Sequence, residues 1–175
     1  MKPFVKGLLI AAVQVGLVAS LGAKLLYDRA ALPRVWVRTA PFDPNLPTRG
    51  RYVSLRLVVE PRGIPESKPG TGWQPPPSAI LRVEDGRLVA EADPQTRGYV
   101  PSDLHVQFIQ RIDNKLAVLD KPVAFFIPEH VPDPSRRPSG EELWVEATIP
   151  TRGPPRPIRL GITKGDGAIL PLDLQ

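Results

Sequence analysis

Apolar and polar residues alternate along much of the chain after residue 33, and this alternation predicts β-strands. The longest run covers residues 52–60, where Val53, Leu55, Leu57 and Val59 fall on one face. Further short apolar or alternating runs occupy 35–37, 79–92, 104–109, 116–119, 122–127, 143–149, 158–162 and 168–172. About nine short strands separated by turn signals predict a mainly β fold, an antiparallel sandwich or barrel.

Turn residues and prolines mark where these strands end. Asp85-Gly86 stands between two β-rich arms in 79–92 and predicts a hairpin, because both residues tolerate positive φ. The 23 prolines favour strands joined by stiff loops. The regions 61–77 and 128–140 are therefore predicted to be loops, and 150–157 is too rich in proline for a central strand.

The N-terminal residues show a different pattern. A charge-free apolar run from Gly7 to Ala23 follows the basic start MKPFVK. At about 1.5 Å per residue it spans roughly 25 Å, and Lys6 and Lys24 can reach the two interfaces of a membrane. Pro33 is the first clear helix stop. We therefore expect a transmembrane signal-anchor helix over 1–32 and a β domain over 33–175.

The alternative is a signal peptide cleaved near Ser20-Leu21-Gly22, where small residues stand at a suitable spacing. The apolar run is longer than a signal-peptide core, and helix-forming residues continue to Leu26, which favours a retained anchor. A short basic N-terminus inserts most easily with itself inside. The β domain is then expected outside the cytoplasm.

Three small residues recur every four positions in this helix: Ala12, Gly16 and Ser20. They would form one smooth face, and such faces allow close helix packing in lipid. The frequency of small residues in membrane helices explains the pattern without a partner. The functional alternative is that the face docks an integral membrane protein.

Charge argues against nucleic-acid binding. The net charge is +5, but Lys2, Lys6 and Lys24 lie in or beside the apolar segment, which leaves +2 for the rest. Arg and Lys alternate with Asp and Glu along the strands instead of forming one concentrated basic face. The absence of cysteine excludes disulfides and thiolate metal sites.

The sequence offers no recognisable catalytic or cofactor motif. The two histidines, His105 and His130, lie in different predicted elements, and no glycine-rich phosphate loop or nucleophile elbow is present. We expect no metal, no cofactor and no enzymatic activity, and a surface or edge position for His105. Glu129 is the most distinctive carboxylate because it follows the apolar segment 125–128. One hypothesis is that it shares a pocket with Tyr52.

Two segments resemble the GDYXXLXY family of bacterial membrane-associated proteins. The first keeps Asp43, Pro44, Gly50, Tyr52 and Leu55 of the family pattern, with Arg51 in place of Asp and Leu57 in place of Tyr. The second is Phe125-Phe126-Ile127-Pro128-Glu129, similar to the family's segment of an aromatic residue, Phe, a hydrophobic residue, Pro and Glu. The matching positions there are Phe126, Pro128 and Glu129.

The resemblance implies a bacterial membrane protein with no established activity. Together with the single apolar helix and its basic start, it leads us to expect a single-pass protein of the inner membrane, with its C-terminal domain facing the periplasm or cell exterior. From the residues themselves, Leu55 is expected in the core and Tyr52 on the opposite face, because they stand three apart on a strand. The functional hypothesis is a non-enzymatic accessory or interaction subunit of a membrane assembly. The alternatives are a hydrolase with a site scattered over the sheet and a carrier of a lipid or small ligand.

Overall fold

The computed structural model describes residues 3–41, 52–66, 76–96, 98–110, 115–165 and 167–174, and it is mainly β with one N-terminal apolar helix. The chain forms two compact units, Met1–Leu32 and Pro33–Gln175. The first unit is helix α1, Pro3–Ala31. None of its described residues is buried, and it is long and apolar enough to cross a membrane.

The described part of the second unit contains eleven strands. They are β1 (Arg34–Pro41), β2 (Tyr52–Leu57), β3 (Glu60–Arg62), β4 (Ala79–Glu84), β5 (Arg87–Ala92), β6 (Val106–Gln110), β7 (Lys115–Leu119), β8 (Val123–Phe126), β9 (Glu141–Thr148), β10 (Arg156–Lys164) and β11 (Leu170–Pro171). The predicted fold class is confirmed.

The strands form three sheets. A six-stranded antiparallel sheet has the order β11-β10-β9-β1-β2-β8, a three-stranded sheet has the order β3-β5-β4, and β6 pairs with β7. The six-stranded sheet curls, which brings β8 close to β10. β5 packs against β1 and β7 against β2, so the two small sheets lie against the large one.

The core is built from the inward-facing residues of these sheets. In β2 the burial alternates as the sequence predicts, with Val53, Leu55 and Leu57 buried and the residues between them half-buried. Val35 and Val37 of β1 join the same cluster. At Gly161 a Cβ would lie 2.9 Å from the Trp36 ring and 2.8 Å from Ile169, so only glycine allows β10 to pack this closely.

The Asp85-Gly86 hairpin is confirmed, because β4 and β5 pair up to Glu84↔Arg87 and both turn residues have positive φ, 48° and 74°. The prediction that 61–77 is entirely loop is wrong at its start. Pro61 lies in the three-residue strand β3, which pairs in parallel with β5, and a proline is tolerated in such a short edge strand. The run 52–60 is correspondingly broken between β2 and β3.

The prediction for 150–157 is wrong at its end, since β10 begins at Arg156 and includes Pro157. A register shift between Pro157 and Arg159 explains how the proline is accommodated, because a bulge leaves a position without a ladder hydrogen bond.

Replacing Leu55 with alanine is expected to lower the free energy of unfolding of the β domain by about 2–5 kcal/mol, because the side chain is fully buried. Leu170 is 59% exposed, and the same replacement there should change stability by no more than about 0.5 kcal/mol. Urea unfolding followed by tryptophan fluorescence measures both. Equal losses for the two variants would contradict the burial of β2.

Candidate functional site

Two residues of the family-like segments meet on neighbouring strands. Tyr52 begins β2 and Phe126 ends β8, and the two are directly paired in the antiparallel ladder. Their rings lie 6.2 Å apart between centroids at 59°, a tilted geometry favourable to aromatic pairs. Tyr52 is half-buried, whereas Phe126 is 75% exposed. We call Tyr52 and Phe126 the aromatic pair.

Leu55 lies on the opposite face of β2 from Tyr52 and belongs to the core. Pro128 and Glu129 follow β8, where the carbonyl of Pro128 accepts a hydrogen bond from Val131 N at 3.2 Å and Glu129 is exposed. Arg136, in the loop that follows, lies 4.0 Å from Asp133. Asp43, Pro44 and Gly50 lie outside the described residues.

The aromatic pair and a polar cleft occupy the same end of the six-stranded sheet. We call it the far end. β1 and β8 end there, and β2 and β9 begin there. The cleft has a volume of about 590 Å³, within the usual range for small-ligand sites. Its walls include Arg38, Thr39, Leu55, Arg137, Glu141 and Glu142. Neither Tyr52 nor Glu129 lines it, so the cleft does not join the two residues in one pocket.

Opposite charges are matched within the cleft. Arg38 Nη2 lies 2.5 Å from Glu142 Oε1. Glu141 is shared by Lys164 Nζ at 3.0 Å and Arg137 Nη1 at 3.7 Å. Thr39 Oγ1 donates to the carbonyl of Leu143 at 2.9 Å, which ties β1 to the start of β9. These ion pairs make the walls polar, unlike the apolar lining of a lipid-carrying cavity.

A second polar cluster surrounds His105, and sequence reasoning missed it. The expectation of a surface or edge position is wrong, since only 1% of His105 is exposed. Asp120 accepts hydrogen bonds from the backbone N of His105 at 2.9 Å and contacts its Nδ1 at 3.2 Å. The ring of Tyr99 stacks on the imidazole at 4.7 Å. The apolar neighbours Leu104 and Val106 were the available signal, and both are buried with it.

In the His105 cluster, the Ser78 hydroxyl is bonded to Asp103 and not to the imidazole. The backbones of Ser78 and His105 form an isolated antiparallel β-bridge, but Ser78 Oγ donates a hydrogen bond to Asp103 Oδ2 at 2.7 Å. His105 Nε2 is buried and has no hydrogen-bond partner among the described residues. A catalytic base must reach the proton that it removes, and here the imidazole is enclosed. In this structure the Asp120–His105 contact links the residue before β6 to the residue after β7.

Ala12, Gly16 and Ser20 lie in α1 at intervals of four residues, so they fall on the same side of the helix. A Cβ at Gly16 would meet nothing within 4 Å, and Ser20 Oγ donates to the carbonyl of Leu17 at 2.8 Å. The serine hydroxyl is thus satisfied within its own helix.

Within the described ranges, no group of three or more His, Asp or Glu side chains is placed to hold a metal ion. Comparison of the chain with protein-family models, curated proteins and solved structures finds no match.

Replacing Asp120 with alanine is expected to destabilise the β domain by about 2–3 kcal/mol, because it removes the acceptor for two groups of a buried histidine. Glu91 is the control, since its ion pair with Arg82 is exposed and its removal should cost no more than about 1 kcal/mol. Thermal unfolding followed by circular dichroism measures the difference. Matching melting temperatures for the two variants would contradict a structural role for Asp120.

Proposed function

We propose that this chain is a membrane-tethered β domain that acts as a non-enzymatic interaction subunit of a membrane assembly. Helix α1 is the tether, and the domain beginning at Pro33 lies outside the cytoplasm, in the periplasm if the host is a bacterium with two membranes. The partner is an integral membrane protein.

The tether rests on the length and the apolar character of α1. A 29-residue apolar helix with no buried residue leaves its side chains without protein cover, and a bilayer supplies that cover. Tyr27 is 71% exposed near its C-terminal end, and Tyr side chains favour the membrane interface. The basic start of the chain supports the orientation by the positive-inside rule.

The interaction role is carried by one observation, the exposed Phe126 of the edge strand β8, which packs against the half-buried Tyr52 of β2. Exposed aromatic side chains on a stable scaffold are typical of binding surfaces, and Phe126 is more exposed than any other large apolar residue described in the β domain. The resemblance to the GDYXXLXY family supports the same choice, because both of its segments contribute one member of the pair.

The hydrolase alternative has one observation in its favour, the buried Asp120–His105 contact beside Ser78. Two contacts weigh against it: Ser78 Oγ is held by Asp103, and Tyr99 stacks on His105. The carrier alternative is disfavoured by the ion pairs in the cleft walls.

The experiment is photocrosslinking in intact membranes with a photoreactive phenylalanine placed at Phe126. We expect a discrete adduct with an integral membrane protein, which remains in the membrane after alkaline extraction. Tyr52→Ala should reduce the yield of this adduct at least severalfold, because it removes the ring that supports Phe126.

Leu170 provides the matched control position, since it is also exposed and lies at the opposite edge of the sheet, in β11. The photoreactive residue there should give no such adduct. Identical adduct patterns at the two positions, or a yield unaffected by Tyr52→Ala, would contradict the proposed interaction surface.

A further inference from the structure

The end of the six-stranded sheet opposite the cleft is rich in arginine. Arg34 begins β1 and Arg156 begins β10, and both are register partners of Thr148 at the end of β9. Arg152 is exposed in the β9–β10 connection, residues 149–155. We call this the near end, because β1 begins there directly after the helical unit.

The β9–β10 connection is fixed to the start of the β domain. Ile149 N donates a hydrogen bond to the carbonyl of Pro33 at 3.0 Å. Only Leu32 and Pro33 separate the last residue of α1 from Arg34. A chain extends at most about 3.5 Å per residue, so Arg34 stays within roughly 11 Å of that last residue whatever orientation the domain takes.

The connection presents its arginine on a stiff loop. Pro150, Pro154 and Pro155 restrict the backbone, and Gly153 turns it with a φ of 93°. Arg152 lies near Asp93, whose pKa is lowered first by the hydrogen bond from Gln95 N, then by the Thr96 hydroxyl, and further by the charge of Arg152. Asp173, after β11, is a further carboxylate toward this end. Arg34, Arg152 and Arg156 thus outnumber Asp93 and Asp173 by one charge.

We propose that the β9–β10 connection contacts anionic phospholipid headgroups at the surface of the membrane that holds α1. The guanidinium fork of Arg152 matches a phosphate diester, and Arg34 and Arg156 add positive potential around it. This inference rests on the proposed tether. Its consequence is that the near end is oriented toward the lipid surface, which turns the far end and its aromatic pair away from it.

The test uses the full chain reconstituted in lipid nanodiscs. The protein has no cysteine, so Thr151→Cys and Ser139→Cys each provide one labelling position. Both positions are exposed; Thr151 lies in the near-end connection and Ser139 precedes β9 at the far end. An environment-sensitive fluorophore at each is quenched by lipids that carry a nitroxide on the headgroup. One set of discs contains phosphatidylcholine alone, and the other contains phosphatidylcholine with added phosphatidylglycerol.

We expect strong quenching of the label at Thr151 in discs that contain phosphatidylglycerol, and little quenching at Ser139. Arg152→Gln should lower the ratio of lipid-bound to lipid-free β9–β10 connection about fivefold, as expected for the loss of one positive charge near an anionic surface. Arg152→Lys should retain most of the quenching, and added salt should weaken it.

Equal quenching at Thr151 and Ser139 would overturn the inference. The same conclusion would follow if quenching at Thr151 did not depend on phosphatidylglycerol and was unchanged by Arg152→Gln. Alkaline extraction of the same chain from membranes separates the two proposals. A chain that is extracted refutes the tether, whereas a chain that stays embedded with equal quenching refutes only the lipid contact.

Discussion

The β domain depends on the pairing of β1 with β9, two strands separated by about a hundred residues. β1 lies between β9 and β2 in the six-stranded sheet, and its Val35 and Val37 enter the core. Thr39 adds a side-chain hydrogen bond to Leu143 in β9. The sheet cannot be completed until β9 has been synthesised, and the long loop that this pairing closes is expected to make folding slow.

This arrangement connects the helical unit to the centre of the sheet instead of to a frayed edge. Because β1 is bonded on both sides, a pull on the helix is transmitted to the β1–β9 and β1–β2 ladders, and the strand cannot leave without exposing the core. The same sheet separates two kinds of surface. Arginines lie at the near end, and the aromatic pair and the polar cleft lie at the far end. At about 3.4 Å per residue, the eight residues of β9 place these ends about 25 Å apart.

The sequence predicts those features that depend on local pattern. The alternation in 52–57 identified the buried face of β2, and Asp85-Gly86 identified a turn with two positive φ values. The short strand β3 escaped prediction because its pairing with β5 is tertiary and overrides the unfavourable Pro61. His105 was misjudged because alternation identifies which residues share a face but not whether both faces are covered. Here Ser78, Tyr99 and Asp120 enclose it.

The candidate site was less predictable than the fold. Tyr52 and Phe126 each belong to a recognisable segment, but their contact depends on the pairing of β2 with β8 across seventy residues, which no local pattern specifies. The cleft has the same origin, since Arg38 comes from β1, Glu142 from β9 and Arg137 from the loop between β8 and β9. Such combinations are set by strand order, and strand order is a property of the whole chain.

The proposed tether requires that α1 stays in the bilayer as part of the mature protein. Peptide mapping by mass spectrometry after alkaline extraction of membranes tests it most directly. If α1 is retained, the chain remains in the membrane pellet and yields the peptide covering residues 7–23. A soluble chain that begins near Ala23 would contradict it.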